Sequence, residues 1–598
     1  MTLVLVVAIP LAAAIAVALA GGRLGRRTLG IATTVALALS FGAAASMIAS
    51  LREHPSLEAY IGPWLPIGGA DFALAVDSGM LAVTLAITGV SALIALYSIA
   101  YLEHGRGLQR YFAAFSLLVA ALLIVVLGSN LLLIFAGWEL AGVSAYLLIG
   151  HHQDDPRAAA SAMRAFLIER AGDAALLSGI LLLLATFHTV DLAQLGGLAV
   201  EHGSMGGIPL VAGSLILVGA LAKSAQLPLH AWLTESTAET STPVAALLQT
   251  TAVVGGVVLL MRLRSVLAPD VLHAAAIVGG ITALVGALVA IAQRDLRRIL
   301  AWSTISQVGL MFVAAGLGAL FAARFQLIAH ALFKAVLILG AGSVRRAVGD
   351  ESDVTRYGGL IASMRWAAAA FAIGTLGLAA IPPAAGFFGV AAIASAAFDA
   401  GDPLLTALVL LTIAAAAFAG VRTFVLIFIA PPSVNRGPAR APRFDLALAV
   451  LAIAALVFGA VVNAGLPIGS GPADDAPLWL VMATFAIALV SASAAWLGYR
   501  HGPGRAARID RAMRWAAGGL GLDLLYSRGI ERLSRATARE LEAGAERAMD
   551  GAADVIASAS ARASALARRA QPDGSRAQQA LLLAGTVALL AYWTLGGR

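Results

Sequence analysis

The chain has 598 residues, 60% of them hydrophobic and 12% charged, with a mean hydropathy of +0.89 and a formal net charge of +7. A water-soluble protein carries about 25% charged residues, so the composition excludes a soluble globular enzyme and specifies a polytopic membrane protein. The lack of cysteine excludes disulfides and cysteine-ligated iron–sulfur clusters in this chain.

Apolar runs long enough to cross a bilayer recur from end to end. Sixteen are counted, fifteen of them before residue 500: 2–20, 30–50, 78–101, 111–128, 129–150, 159–186, 208–227, 243–262, 270–292, 297–316, 325–345, 363–388, 403–430, 444–467 and 477–498, with a last one over 578–596. The run at 2–20 has no positively charged segment before it and reads as a retained helix rather than a signal peptide. Within hydrocarbon each run must be a helix, because the backbone finds no water there. The expected fold class is therefore an all-α polytopic membrane protein of about sixteen transmembrane helices.

Arginine placement sets the expected orientation. The loops after spans 1, 3, 5, 9, 11 and 13 carry Arg23, Arg26, Arg27, Arg106, Arg110, Arg157, Arg294, Arg297, Arg298, Arg345, Arg346, Arg356, Arg436, Arg440 and Arg443, against Arg52, Arg264 and Arg324 in the alternate loops. The positive-inside rule makes the first set cytoplasmic and turns both termini outward. Residues 503–575, rich in Ala, Arg and Glu with apolar residues at helical spacing, are too charged to cross a bilayer. They read either as a cytoplasmic amphipathic tail or as a lateral helix along the membrane, strapped down by the final span. The strap is preferred because a free tail needs no anchor.

Arginine is the routine loop cation, and the only two lysines, Lys223 and Lys334, both fall inside expected helices. A fixed charge at the bilayer centre costs at least ~2.5–3.5 kcal/mol. Lysine can shed its proton on burial and arginine effectively cannot, so a buried lysine is a candidate proton-handling site. The alternative, a lysine snorkelling to the interface, fits Lys334 better than Lys223, whose flanks in "LVGALAKSAQLPLHAW" are apolar or small. Glu139 is the one acid in "LLLIFAGWELAGVSAYLLIG" and forms a candidate pair with Lys223. Arg170 and Asp173, three apart in "AFLIERAGD", share a helical face, which local neutralisation alone would explain. Gln326, His330 and Lys334 recur at i, i+4 and i+8, the stripe of a hydrated polar path, although a lone buried His is usually structural. No metal-ligand cluster, phosphate loop or nucleophile elbow is present in the sequence.

Two expected helices carry internal prolines, Pro228 beyond Lys223 and Pro382–Pro383 in "LAAIPPAAGFFGV". Broken helices in corresponding places of two halves point to inverted five-helix repeats with an ion path between them. Freed carbonyls and water at the first break are expected to share the Lys223 charge. The expected divisions are 1–110 (helices 1–3), 111–262 (first half), 270–430 (second half), 444–498 (helices 14–15), 503–575 (lateral helix) and 578–598 (anchor).

"GWELAGVSAYLLIG", "AFLIERAGD", "KSAQLPLHAWL", "TPVAALL", "DLRRILAWSTISQVGLMF" and "HALFKAVLILGAGSV" resemble the large antiporter-like (NuoL-type) subunit of respiratory complex I. That superfamily also holds Mrp-type antiporter and membrane-bound hydrogenase subunits. The resemblance implies sixteen spans with a lateral helix before the last. It implies that Glu139 is the glutamate of the fifth helix, Lys223 the central lysine of the broken seventh, Arg170 and Asp173 the family's Arg–Asp pair, and His330 with Lys334 the link to the second half-channel. Gln249 stands where that family usually has histidine, as does Gln326, and in "GFFGVAAI" Val390 stands at the lysine and Ala391 and Ala392 at the acids of a distal "GFxSKDE" motif. Arg422 is a candidate positive charge near that site.

The resemblance implies a proton-translocating membrane-arm subunit of an NADH:quinone oxidoreductase. NADH, flavin, iron–sulfur clusters and quinone would reside in partner subunits, no cofactor or metal in this chain, and the complex in a bacterial inner membrane with neighbouring antiporter-like chains under the lateral helix. Two competing expectations are a structural subunit with an inactive distal half-channel, and a cation/proton antiporter, hydrogenase or inorganic-carbon uptake subunit.

Overall fold

The computed structural model describes residues 1–102, 107–152, 155–201, 208–432, 445–463, 477–502, 514–519 and 558. The anchor over 578–598, and all of 503–575 but 514–519 and 558, lie outside the described residues. The chain divides into two units, Met1–Gly521 and Leu522–Arg598.

The helices of the first unit include α1 (Thr2–Ala20), α2 (Arg26–Ser46), α3 (Ser50–Glu53), α4 (Ser78–Tyr101), α5 (Leu108–Leu127), α6 (Leu131–Ile149), α7 (Pro156–Phe187), α8 (Leu192–Glu201), α9 (Ile208–Lys223), α10 (Ala231–Glu239), α11 (Thr242–Leu247), α12 (Gly255–Arg262), α13 (Pro269–Ala292), α14 (Leu296–Gly316), α15 (Leu320–Ala347), α16 (Arg365–Leu378), α17 (Ala385–Asp399), α18 (Pro403–Phe424), α19 (Leu446–Asn463) and α20 (Leu478–Tyr499). Among the described residues eleven helical segments are long and apolar enough to span a membrane. Every expected run before residue 500 holds helix among its described residues. Several helices start at side-chain caps: Asp77, Asn130, Asp155, Asp295 and Asp402 accept from backbone N–H groups two or three residues on.

The all-α expectation needs correction in one place. β1 (Ser56–Pro63) and β2 (Asp71–Asp77) form an antiparallel hairpin, with Ser56 opposite Asp77, Leu57 opposite Val76 and a bulge at Tyr60/Gly62. The hairpin joins α3 to α4 outside the expected spans, where strand edges meet water instead of lipid. Leu57, Ala59, Phe72, Leu74 and Val76 supply the alternating apolar side.

The connections sort into two sets that bond among themselves. The hairpin, the α5–α6 turn and the α7–α8 turn join through Val190 N–H to Gly68 O (3.0 Å), Leu131 N–H to Val190 O (3.0 Å) and Ser129 N–H to Ala73 O (3.1 Å). The arginine-rich connections do likewise: Val354 N–H bonds Arg294 O (2.9 Å), Leu296 N–H bonds Ser352 O (3.0 Å), Arg297 bonds Ala238 O (2.8 Å) and Arg110 bonds His151 O (2.9 Å). Arginine-rich and arginine-poor loops thus lie on opposite faces, with α11–α12, α14 and α15 almost entirely buried between them.

Both broken helices share one backbone path. Ala225 and Ala380 have positive φ (50° and 53°), and cis peptides follow at Leu227–Pro228 and Pro382–Pro383. Gln226 N–H reaches Leu221 O (2.9 Å) as Ile381 N–H reaches Leu376 O (3.0 Å). A five-residue π-helical turn, Leu248–Ala252, interrupts α11–α12 and another, Val425–Ile429, follows α18. Neither is legible in the sequence.

On the arginine-rich face, His151 is buried against Tyr111 (ring centroids 5.1 Å apart). Burial, with His152 and Arg110 beside it, pushes its imidazole down to about 4 from an ordinary value near 6.5. The unfolded chain therefore binds a proton through that interval that the folded chain does not, and stability is lost as pH falls from ~6.5 through 4. His151→Gln should remove this contribution: the melting-temperature difference between wild type and variant should fall as pH drops from 7 to 4.5. A difference independent of pH would contradict the assignment.

Candidate functional site

Five charged side chains meet where α6, α7 and the end of α9 pack. Lys223, the last residue of α9, is 4% exposed, and its Nζ donates to Glu169 Oε2 at 3.0 Å. The Lys223–Glu139 pair expected from the sequence is not formed. Glu139 instead makes an ion pair with Arg170, whose other terminal nitrogen lies 2.6 Å from Asp173 Oδ2. Trp138 Nε1–H donates to Asp173 Oδ1 at 2.5 Å, and the Trp138 ring faces Lys223 Nζ at 5.3 Å. The correction follows from helix geometry. Glu169 lies on the face of α7 toward Lys223 of α9, whereas Arg170, one residue on, is turned toward Glu139 of α6.

Gly142, one turn beyond Glu139 on α6, leaves the space in which these groups meet. A Cβ at this position would lie 2.5 Å from Arg170 Nη2, 3.2 Å from Glu169 Oε2 and 3.2 Å from Lys223 Nζ. The freed backbone at the break is also taken up by protein. Trp232 Nε1–H bonds Ala222 O (2.8 Å), Gln226 Nε2–H bonds Ser224 O (2.9 Å), and Leu227 N–H bonds Thr282 Oγ1 (3.2 Å). Lys223 therefore rests on a carboxylate rather than on freed carbonyls.

The second group of polar residues lies between α14 and α15. Lys334, wholly buried, donates to Ser303 Oγ (2.6 Å) and Leu300 O (3.1 Å). Among the described residues no carboxylate pairs with it. Gln326 Nε2–H bonds Gln307 Oε1 (2.7 Å), and Thr304 Oγ1–H bonds Gln249 Oε1 (2.8 Å). His330 is fully buried, and neither ring nitrogen has a hydrogen-bond partner among the described residues. Gln249 sits in the π-helical turn, and Gly255, at the start of α12, lies beside Lys223. The helix thus runs from one polar group to the other over about 9 Å, at ~1.5 Å per residue. Ser303, Thr304 and Gln307 join this group although they carry no charge to mark them in the sequence; only their spacing on one helical face hints at it.

At the second break the chemistry differs. Leu378 occupies the place of Lys223 in the shared backbone path, and Val390 beyond it is also buried. Arg422 donates to Gln293 O at 3.1 Å and lies 5.2 Å from the Tyr499 ring, fastening helix ends on the arginine-rich face. Among the described residues no group of three or more His, Cys, Asp or Glu could hold a metal ion.

A membrane bundle with broken helices and buried lysines on carboxylate and polar partners defines the antiporter-like class of ion-translocating subunit. Residues 128–415 match the family model for the membrane region of NADH:quinone oxidoreductases and Mrp antiporters, and residues 64–112 match the N-terminal region of complex I chain 5. NADH-quinone oxidoreductase subunit L of Mycobacterium tuberculosis is 38% identical over 484 residues, covering 77% of this chain and 75% of that protein. The Escherichia coli subunit L is 35% identical over 454 residues, 73% of each. Accordingly, the chain belongs to the NADH-quinone oxidoreductase subunit L family. The fold also matches a chain of the Mrp complex from Dietzia sp. (TM-score 0.74, 24% identity), over all of this chain and 63% of that one. It matches a chain of the archaeal membrane-bound sulfane sulfur reductase as well (TM-score 0.70, 20% identity), over 82% of this chain and 99% of that one.

Gly142→Ala should drive the Arg170 and Lys223 head groups apart at a cost of about 1–3 kcal/mol, as overpacking does. A lowered melting temperature of the detergent-purified protein is expected; an unchanged one would show that the cluster has room to spare.

Proposed function

We propose that this chain is the antiporter-like, proton-translocating subunit of a complex I-type NADH-quinone oxidoreductase, and that Lys223 is the group that takes up and releases the transported proton. The observation that carries this reading is a buried lysine on a buried carboxylate at a helix break, in a member of the subunit L family. Redox energy released in partner subunits reaches the chain as a change in the charges around Lys223. The NADH, flavin, iron–sulfur and quinone sites belong to those partners.

In this mechanism Lys223 holds a proton while Glu169 is ionised and yields it when the local charge balance changes. Glu139 bears on Lys223 through Arg170 and Asp173. The proton leaves along Gln249, Thr304 and Ser303 toward Lys334, and along His330 and Gln326 on the same face of α15. Buried imidazole nitrogens without protein partners are satisfied by water, which makes His330 a relay in a hydrated row. Gln249 and Gln326 order such water without binding the proton themselves.

The residue ranges 111–262 and 270–430 act as two half-channels, related through the matching breaks at Ala225–Pro228 and Ala380–Pro383. The arginine-rich loops face the cytoplasm, both termini face outward, and the membrane is a bacterial inner membrane. Residues 503–575 run along neighbouring antiporter-like subunits as a lateral helix, with 578–598 as its anchor. A second reading, a structural subunit with an inactive distal half, draws support from Leu378, Val390, Ala391 and Ala392, which leave the second break without a titratable side chain.

Proton pumping by the purified parent complex in sealed vesicles separates these readings. Lys223→Ala should abolish the contribution of this chain and slow quinone-dependent turnover. Pumping at the wild-type proton-to-electron ratio would exclude proton transport by this subunit.

A further inference from the structure

We infer that Glu169 is the residue that exchanges a proton directly with Lys223, and that Glu139 is the counter-ion of Arg170. This inference rests on the proton-translocating reading above. Glu169 Oε2 lies 3.0 Å from Lys223 Nζ, within proton-transfer reach, and both side chains are about 5% exposed. The transfer is balanced within the pair. The ammonium gives one proton to the carboxylate, leaving a neutral amine and a carboxylic acid, and the reverse step restores both charges.

Charge counting supports the assignment. Glu139, Glu169 and Asp173 contribute three carboxylates to the cluster, and Arg170 and Lys223 two cations. With all five groups ionised the cluster carries one net negative charge, and a proton passed from Lys223 to Glu169 leaves that total unchanged, so the exchange adds no unmatched charge to the buried pair. Asp173 already receives the Trp138 indole and Arg170, and Glu139 receives Arg170 and is 30% exposed at its side chain. Glu169 alone is buried with a partner able to give up its proton. The elements packed against it present Glu139 on α6, Arg164, Arg170 and Asp173 on α7, Lys223 on α9, and Glu235 on α10, which pairs with Arg164 at 3.1 Å. Gly142 lets the Lys223–Glu169 and Arg170–Glu139 pairs lie side by side, so the protonation of one is felt by the other.

The test compares Glu169→Gln, Glu169→Asp and Glu139→Gln in the assembled parent complex, reading proton pumping in vesicles across pH. Glu169→Gln should lose the pumping carried by this chain, Glu169→Asp should retain it with a displaced pH profile, and Glu139→Gln should lower it at every pH alike. A Glu169→Gln complex with the wild-type proton-to-electron ratio and pH profile would overturn the inference. If Glu169→Gln fails to assemble, Glu169→Asp decides: a displaced profile supports the exchange, and an unchanged one shows a static counter-ion. Lys223→Ala in parallel separates two failures. Loss of pumping there with wild-type pumping in Glu169→Gln defeats this inference alone, whereas wild-type pumping in Lys223→Ala defeats the translocation reading itself.

Discussion

The structure turns on the cost of holding a lysine where no water surrounds it. An unpaired charge at the bilayer centre costs at least ~2.5–3.5 kcal/mol, and Lys223 is 4% exposed. The fold meets that cost with a carboxylate at 3.0 Å, an aromatic face, and a helix break whose own polar groups are bonded elsewhere. Such a pair has two states without an unmatched charge, both ionised or both neutral. A site of that kind changes protonation without unfolding its surroundings. Removing either partner leaves a buried charge or a vacant acceptor.

The two helix breaks share a backbone path and diverge in chemistry. Each break has a positive-φ alanine followed by the same hydrogen-bond pattern and a proline. Only the first carries a cation, and the corresponding place in the second is Leu378. The polar residues of the second half are gathered instead between α14 and α15, where Lys334 rests on a serine and a carbonyl rather than an acid. The π-helical turn at Leu248–Ala252 connects the two regions. It brings Gln249 to Thr304 while the helix continues to Lys223. π-helical turns concentrate at functional sites for this reason: one extra residue re-aims a side chain without ending the helix.

Much of this was legible in the sequence. Hydropathy placed the helical segments, because a bilayer demands long apolar runs. Two lysines among apolar neighbours marked the candidate site, and the Gln326–His330–Lys334 spacing gave a face of α15. The pairing was not legible. Glu139 and Glu169 are both acids in apolar surroundings, and which of them meets Lys223 depends on how α6, α7 and α9 rotate in their packing. That rotation is fixed by contacts such as the close approach at Gly142, which carry no charge signal. The hairpin at Ser56–Asp77 was missed because its alternating strands are short and lie between strong membrane signals. The π-helical turns were missed because no residue type marks them.

The central claim, that a buried acid–amine pair stores the proton, is tested most directly by infrared difference spectroscopy of the membrane-embedded parent complex between rest and turnover. The account predicts a carbonyl-stretch band of a protonated carboxylic acid that rises and decays with turnover, shifts on isotopic labelling of glutamate, and is missing from Glu169→Gln. A turnover-dependent acid band that persists unchanged in Glu169→Gln, or none in wild type, would contradict it.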